Sequence, residues 1–469
     1  MIIPGATNNH RIWLRVGTLL DGVSTQPLCD AHVVYDAKQI LFVGDGKNSP
    51  SPELLNPNQR EPDLHLPEFT LLPGLIEAHA HLFLEGGELN LDKRAAYIKQ
   101  TPAELLEAAK KRMEKIVRLG VIAVRDAGDK DGVGLAISRL YSNTRQSQDF
   151  LPLPARHEWG EGRGEGLPQN ASSPQPSPPS DGREGEKITR QLMPYLDSPG
   201  AAIHHKGRYG SFMGEPIENY PSPHACVEGR VNAGADRIKL IPTGIINFKQ
   251  GAVTTEPQMS TQEISELVAA AKSFGKQTFA HASGDKGIEN VIEGGADSVE
   301  HGFFIREDQL ARMRDKQIAW VPTFAPVQEQ VDHADIMGWD ATIVSNLQRI
   351  LDQHAASLVK AHEMGVQIIA GSDAGSVGVA HATGFLRELE LMERAGLPTL
   401  AVINSATGNS ANRLGYKENF GRIKPGDLSR FILTRHSPLE GVANLRKPKH
   451  VIFDGIDYES GDNPEVSGL

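Results

Sequence analysis

Pro73-Gly74-Leu75-Ile76-Glu77-Ala78-His79-Ala80-His81 follows the apolar pair Leu71-Leu72, and its reading decides how the rest of the chain is understood. In a strand over residues 75–81, successive side chains alternate between faces, so His79 and His81 point the same way with Ala80 between them on the other. Two neutral imidazoles at that spacing suit a divalent metal at the end of a strand. A bare His-x-His is equally a pair of exposed or core histidines, so the weight falls on its company along the chain.

The flanks differ in character. Before it, apolar runs at 12–20, 33–35 and 40–43 are short, β-branched and separated by Asp36-Ala37-Lys38 and Asp45-Gly46, the pattern of a small β structure. The C-terminal end has the same texture: a Pro425-Gly426 turn, then Phe431-Ile432-Leu433 and Val451-Ile452-Phe453.

Residues 73–415 instead alternate helical and strand patterns, as βα units with parallel strands do. Thr101-Pro102-Ala103-Glu104 reads as a capping box with proline at the first helical position, opening a helix that stops near Gly120 before a strand at 121–126. Ser260 and Glu263 open another, which ends near Gly275 before a strand at 277–281. Further strands are predicted at 236–241, 298–301, 318–322 and 367–373. Except before the strand at 318–322, a glycine ahead of the strand ends the preceding helix in the left-handed conformation. One stretch breaks the pattern: residues 152–186 are dominated by Gly, Pro, Ser and charge, and are predicted to be a disordered low-complexity insertion within the barrel region. Deleting it is expected to leave catalysis intact.

The chain has 469 residues, enough for a barrel of about 250 residues and a small second domain. Its net charge of -11 leaves no basic footprint for nucleic acid. Cys29 and Cys226 are too few for a disulfide framework or a thiolate metal site. The start shows no secretory pattern and no apolar run reaches membrane-spanning length, so a soluble cytoplasmic protein is expected, with no membrane partner.

Several later residues carry chemistry. Lys239 sits among Ile238, Leu240 and Ile241, where a free ammonium is costly to bury. His281 and His301 close successive predicted strands, the end of a barrel where catalytic groups gather. Asp373, in Ala370-Gly371-Ser372-Asp373-Ala374-Gly375, stands where an aspartate either caps a helix or serves a site.

The Pro-Gly-Leu-Ile-x-x-His-x-His stretch resembles the first-strand signature of the amidohydrolase superfamily, metal-dependent hydrolases on a (β/α)8 barrel. Gly234-Ala235-Asp236-x-Ile238-Lys239 and Gly371 to Gly375 are similar to that family's imidazolonepropionase-like and Xaa-Pro dipeptidase-like branch. Glu77 departs from the usual aspartate. The resemblance implies an α/β fold, a TIM barrel over 73–415 beside a small β-sandwich built from both ends, 1–72 and 416–469. It implies two divalent metal ions, zinc first among candidates: one held by His79, His81 and Asp373, the second by His281 and His301. Lys239, carboxylated by CO2, would bridge them together with a hydroxide. Asp373 would take the water proton and pass it to the leaving nitrogen.

Arg208 and Tyr209, in the loop after the third strand, are expected to hold a substrate carboxylate or carbonyl, although the family often has Gly-Gly-His-Gly there. His381, after the last strand, is a further substrate-binding candidate. The expected reaction is hydrolysis of an amide C–N bond in a small molecule such as an N-acyl amino acid, a dipeptide or a cyclic amide. A mononuclear deaminase and a phosphotriester or lactone hydrolase are the enzymatic alternatives. A barrel kept only as a scaffold is the other class, and the filled ligand positions count against it. A homo-oligomer is compatible with the sequence.

Overall fold

The computed structural model describes residues 3–149 and 192–460, so the predicted insertion at 152–186 lies outside the described residues. Alternating apolar residues build β1 (Ile12–Leu19), β2 (Leu28–Tyr35), β3 (Ile40–Gly44) and β4 (Leu64–Pro73). Ile12, Leu14 and Val16 of β1 enter the same buried cluster as Val33 and Tyr35 of β2, two residues apart each time, as a pleated strand requires.

The central strands are β5 (Leu75–Ala80), β6 (Val121–Asp126), β7 (Tyr195–Asp197), β8 (Ala202–His204), β9 (Gly214–Pro216), β10 (Ile238–Leu240), β11 (Thr278–Ala282), β12 (Ser298–His301) and β13 (Ala319–Val321). The chain returns to the first sheet with β14 (Arg430–Thr434), β15 (Lys449–Phe453) and β16 (Ile456–Ser460). That sheet has seven strands in the order β16-β15-β14-β4-β1-β2-β3, with β14 antiparallel to β4 and Ile432 opposite Leu72. Both ends of the chain therefore share one sheet.

The central strands pair in parallel, β5-β6-β7 in one sheet and β13-β12-β11-β10-β8-β9 in another; helices separate successive strands except β7, β8 and β9, in a TIM-barrel-like α/β arrangement. Residues 367–374 run between their free edges: Ile369 N–H donates to Trp320, Ala78 N–H to Ala370, and Asp373 N–H to His79. The strand expected at 367–373 is present only as isolated bridges at Ile368 and Ala374. Ala370 donates to Ser405 outside the sheet, and Asp373 takes a left-handed φ of 56°, so no regular ladder continues there. The 236–241, 277–281 and 318–322 strands also differ in their ends, regular pairing covering Ile238–Leu240, Thr278–Ala282 and Ala319–Val321. Beyond the third position, β7 and β8 are separate strands broken at Ser198-Pro199-Gly200, and Ser198 instead accepts from Asp236 N–H.

Local signals at helix ends are realised. Thr101 and Glu104 form the reciprocal capping box of the helix Pro102–Arg118. Ser260 caps Thr261–Ser273 through Glu263 N–H, while the Glu263 carboxylate turns to His205 Nε2 at 2.9 Å. Among the described residues no helix is long and apolar enough to cross a membrane.

Candidate metal centre

Side chains from four parallel strands and one irregular segment converge at the C-terminal ends of the central strands. His79 lies in β5 and His81 one residue past it; their Nε2 atoms stand 3.6 and 3.5 Å from the same Asp373 Oδ1. These three offer ligand atoms that all lie within 4.8 Å of one another, the spacing a single cation can gather. Gly371 makes this approach feasible: a Cβ there would meet Val321 Cγ1 at 2.6 Å and His79 Cβ at 2.8 Å.

His281 and His301 stand beside this group, with ring centroids 4.6 Å apart and His301 5.0 Å from His79. Strict alternation along β12 would send Glu300 and His301 to opposite faces. A φ of 68° at His301 breaks the extended run, and its ring swings to the histidine cluster while Glu300 stays among the strands. Lys239, from β10, is 2% exposed, and its Nζ is buried with no hydrogen-bond partner, 4.6 Å from the Phe279 ring centre.

The imidazoles are held by groups outside the cluster. His79 Nδ1 meets Glu300 Oε2 at 2.6 Å, His301 Nδ1 meets Thr323 Oγ1 at 2.7 Å, and His81 Nδ1 meets the Gly128 carbonyl at 3.2 Å. Each contact leaves the other nitrogen, Nε2, turned to the centre. His281 is reversed: its Nε2 lies 3.3 Å from the Gly244 carbonyl. Glu300 is itself fixed by Arg125, whose Nη2 donates to it at 2.8 Å, and Glu77 accepts from Ser372 Oγ at 2.6 Å and from His79 N–H at 3.0 Å. The longer Glu77 side chain thus ties the segment carrying Asp373 to the strand carrying His79.

Burial, followed by the nearby Lys239, drives the His81 and His281 imidazolium forms down to about 3, and burial puts His79 and His301 well below the usual histidine range. All four rings are neutral at physiological pH, the form that ligates a metal. Burial also lowers Lys239 to about 8, with Glu300 opposing and Arg125 assisting, and raises Asp373 to about 7. His79 Nε2 is buried without a hydrogen-bond partner, as is Lys239 Nζ. A neutral imidazole nitrogen without a partner, beside a carboxylate and three further imidazoles, fits a divalent cation.

The cluster forms the floor of a cavity of about 260 Å³. Tyr209 lines it, its ring 5.4 Å from His281. Arg208 does not: its side chain is exposed and donates to the Glu256 carbonyl, because the turn at Gly207–Gly210 sends neighbouring residues to opposite sides. His381 also lies off the cavity wall, with Nε2 2.9 Å from the Leu84 carbonyl, where it braces the loop after β5. Two contributors escaped the sequence reading: Glu300 and Thr323. Glu300 alone had a visible signal, an acid inside an apolar strand next to His301.

A family model described as "Amidohydrolase family" matches residues 70–456. The ochratoxinase of Aspergillus niger is 22% identical over 454 residues, covering 96% of this chain and 86% of that one. A crystal structure of a Xaa-Pro dipeptidase with bound methionine in its active site superposes with a TM-score of 0.70 at 24% identity, covering 96% of this chain and all of that one. The crystal structure of A. niger ochratoxinase has a TM-score of 0.71 at 19% identity, covering 98% and 97%.

Proposed function

We infer the reaction from one premise: the chain belongs to the amidohydrolase family, whose model spans residues 70–456. It is a hydrolase acting on C–N bonds of small molecules by metal-dependent chemistry. The finer reading is that it cleaves the amide of an N-acyl amino acid or dipeptide on a closed eight-stranded barrel flanked by the β domain of both termini. The similarity to an ochratoxinase supports amide hydrolysis, and that to a Xaa-Pro dipeptidase with bound methionine supports an amino acid on one side of the amide.

The observation that carries the site assignment is the pair of buried, unpartnered nitrogens, His79 Nε2 and Lys239 Nζ, beside Asp373, His281 and His301. His79, His81 and Asp373 would hold one cation, zinc being favoured by the nitrogen and oxygen donors, and His281 with His301 a second. When bound, such ions polarise the scissile carbonyl and acidify water. Lys239, in its uncharged form, would take up CO2 with loss of a proton, and as a carbamate it would supply anionic oxygen beside the histidine cluster. Its lowered affinity for protons provides the uncharged amine that this step needs.

The chain's own groups then divide the remaining work. Asp373, held by Ser376 Oγ at 3.0 Å, accepts the proton of the attacking water and returns it to the leaving nitrogen. Glu300 and Thr323 keep His79 and His301 in one tautomer and orientation. Tyr209 places its phenol on the cavity wall for the substrate carbonyl.

Elemental analysis of protein prepared with zinc and bicarbonate tests this, alongside Lys239→Ala and a panel of N-acyl amino acids. About two ions per chain, a marked loss in the variant and turnover of the panel are expected. One ion in both proteins would leave only the His79, His81 and Asp373 group and move the reading to a mononuclear deaminase.

A further inference from the structure

We propose that Arg94 is the anion anchor of this site, a guanidinium on the cavity wall that takes a free carboxylate of the substrate; the assignment rests on the amide-hydrolase reading above. Arg94 lies in the short helix Leu91–Tyr97, whose start is fixed by Asn90 accepting from Asp92 and Lys93 N–H. It lines the same cavity as the histidine cluster. Its guanidinium donates to two carbonyl oxygens, those of Glu85 and Gly375. Of its five N–H donors, three remain for another partner.

Its charge has no contact partner: Glu85, Glu88 and Asp373 act on it electrostatically from beyond ion-pair distance. The nearby acids are engaged elsewhere, Glu85 with Arg112 at 3.0 Å and Glu88 with Lys93 at 3.4 Å. No described carboxylate lies within ion-pair distance of Arg94. Carbonyls satisfy donors and position the fork without neutralising it, so a planar cation is held ready for a bidentate anion. Among the described residues, Lys239 is the only other lysine or arginine on the cavity lining, and it sits within the histidine cluster. Arg208, the sequence-level candidate for this role, points to solvent.

Position selects the kind of anion. Arg94 bonds the carbonyl of Gly375, two residues past Asp373, so a group held there lies next to the carboxyl that serves the leaving nitrogen. In an N-acylated α-amino acid the carboxyl carbon is two bonds from that nitrogen. The same lining carries the apolar Ile245, Ile246, Phe248, Phe303 and Val327, which suit a large hydrocarbon side chain. A neutral cyclic amide would leave Arg94 unanswered.

The test compares matched probes that differ only in charge. Acetate release from N-acetyl-L-phenylalanine and from N-acetyl-L-phenylalaninamide gives a kcat/KM ratio, and calorimetric binding of 3-phenylpropanoate and 3-phenylpropanamide gives a ratio that needs no turnover. In the metal-loaded parent the carboxylate is expected to lead by about 10- to 100-fold in both ratios. Arg94→Met should bring each ratio down toward one, and Arg94→Lys, which keeps a cation without the fork, should fall between. Unchanged ratios in Arg94→Met, even with both rates reduced, would overturn the proposal, as would a parent with no preference for charge. Arg94-dependent binding of 3-phenylpropanoate by a parent that hydrolyses neither acetyl compound would uphold the anchor and overturn the amide-hydrolase reading instead.

Discussion

Glu300→Gln removes one negative charge from among the central strands while changing almost no volume. The carboxylate is fully buried and has three partners: His79 Nδ1 at 2.6 Å, Arg125 Nη2 at 2.8 Å and Ser298 Oγ at 2.5 Å. Glutamine offers one acceptor oxygen, and its NH2 must face Arg125 Nη2 in either orientation, together with His79 Nδ1 in one and Ser298 Oγ in the other. Arg125, 2% exposed, keeps the Ala78 carbonyl and Ser298 Oγ but loses its counter-charge. Leaving a buried ion unpaired costs about 3–5 kcal/mol, and losing a carboxylate behind a ligating histidine weakens metal affinity by about 10- to 100-fold. Urea unfolding of metal-free protein reads the first, and zinc competition against a chromophoric chelator reads the second. Adding Arg125→Met should recover much of the stability, since both charges are then gone, but not the zinc affinity, since His79 stays unsupported. A Glu300→Gln protein within about 1 kcal/mol of the parent, with zinc affinity unchanged, would refute the view that this buried pair orients the centre.

Tyr209→Phe should lower kcat/KM by about 10-fold through loss of one hydrogen bond to the substrate, while Arg208→Ala stays within about twofold; steady-state kinetics on one N-acyl amino acid checks the pair. His205 bridges Glu218 at 2.7 Å and Glu263 at 2.9 Å. Burial alone would lower its pKa, but the bonds to Glu263 and Glu218 prevail and raise it. The folded protein therefore holds this proton more tightly than the unfolded chain. The stabilisation is full below the ordinary histidine value of about 6.5 and fades as pH rises through the raised one. His205→Gln should flatten that part of the pH dependence of the melting temperature, and an unaltered profile would count against the bridge.

Much of the candidate centre was legible because its signals are local. His79 and His81 share a face through the two-residue period of a strand, and Lys239 stood out as a cation within an apolar run. Thr101 with Glu104 announced a helix start that the structure forms bond for bond. The expected strand at 367–373 was less legible, since its backbone is shared between two sheet edges and ends in a left-handed aspartate. Arg208 and Tyr209 are neighbours in sequence, and only the turn around them assigns one to solvent and the other to the cavity.

By itself the sequence determined the alternation of strands and helices, the family and the residues able to ligate a metal, all of which depend on side-chain type and short-range periodicity. Tertiary structure alone decided which groups govern those ligands. Glu300 reaches His79 across 221 residues, and Arg94 reaches Gly375 across 281. Hydrogen bonds and unpaired charge act over a few ångströms in space, and no period along the chain records which distant segments the packing of parallel strands brings to that distance.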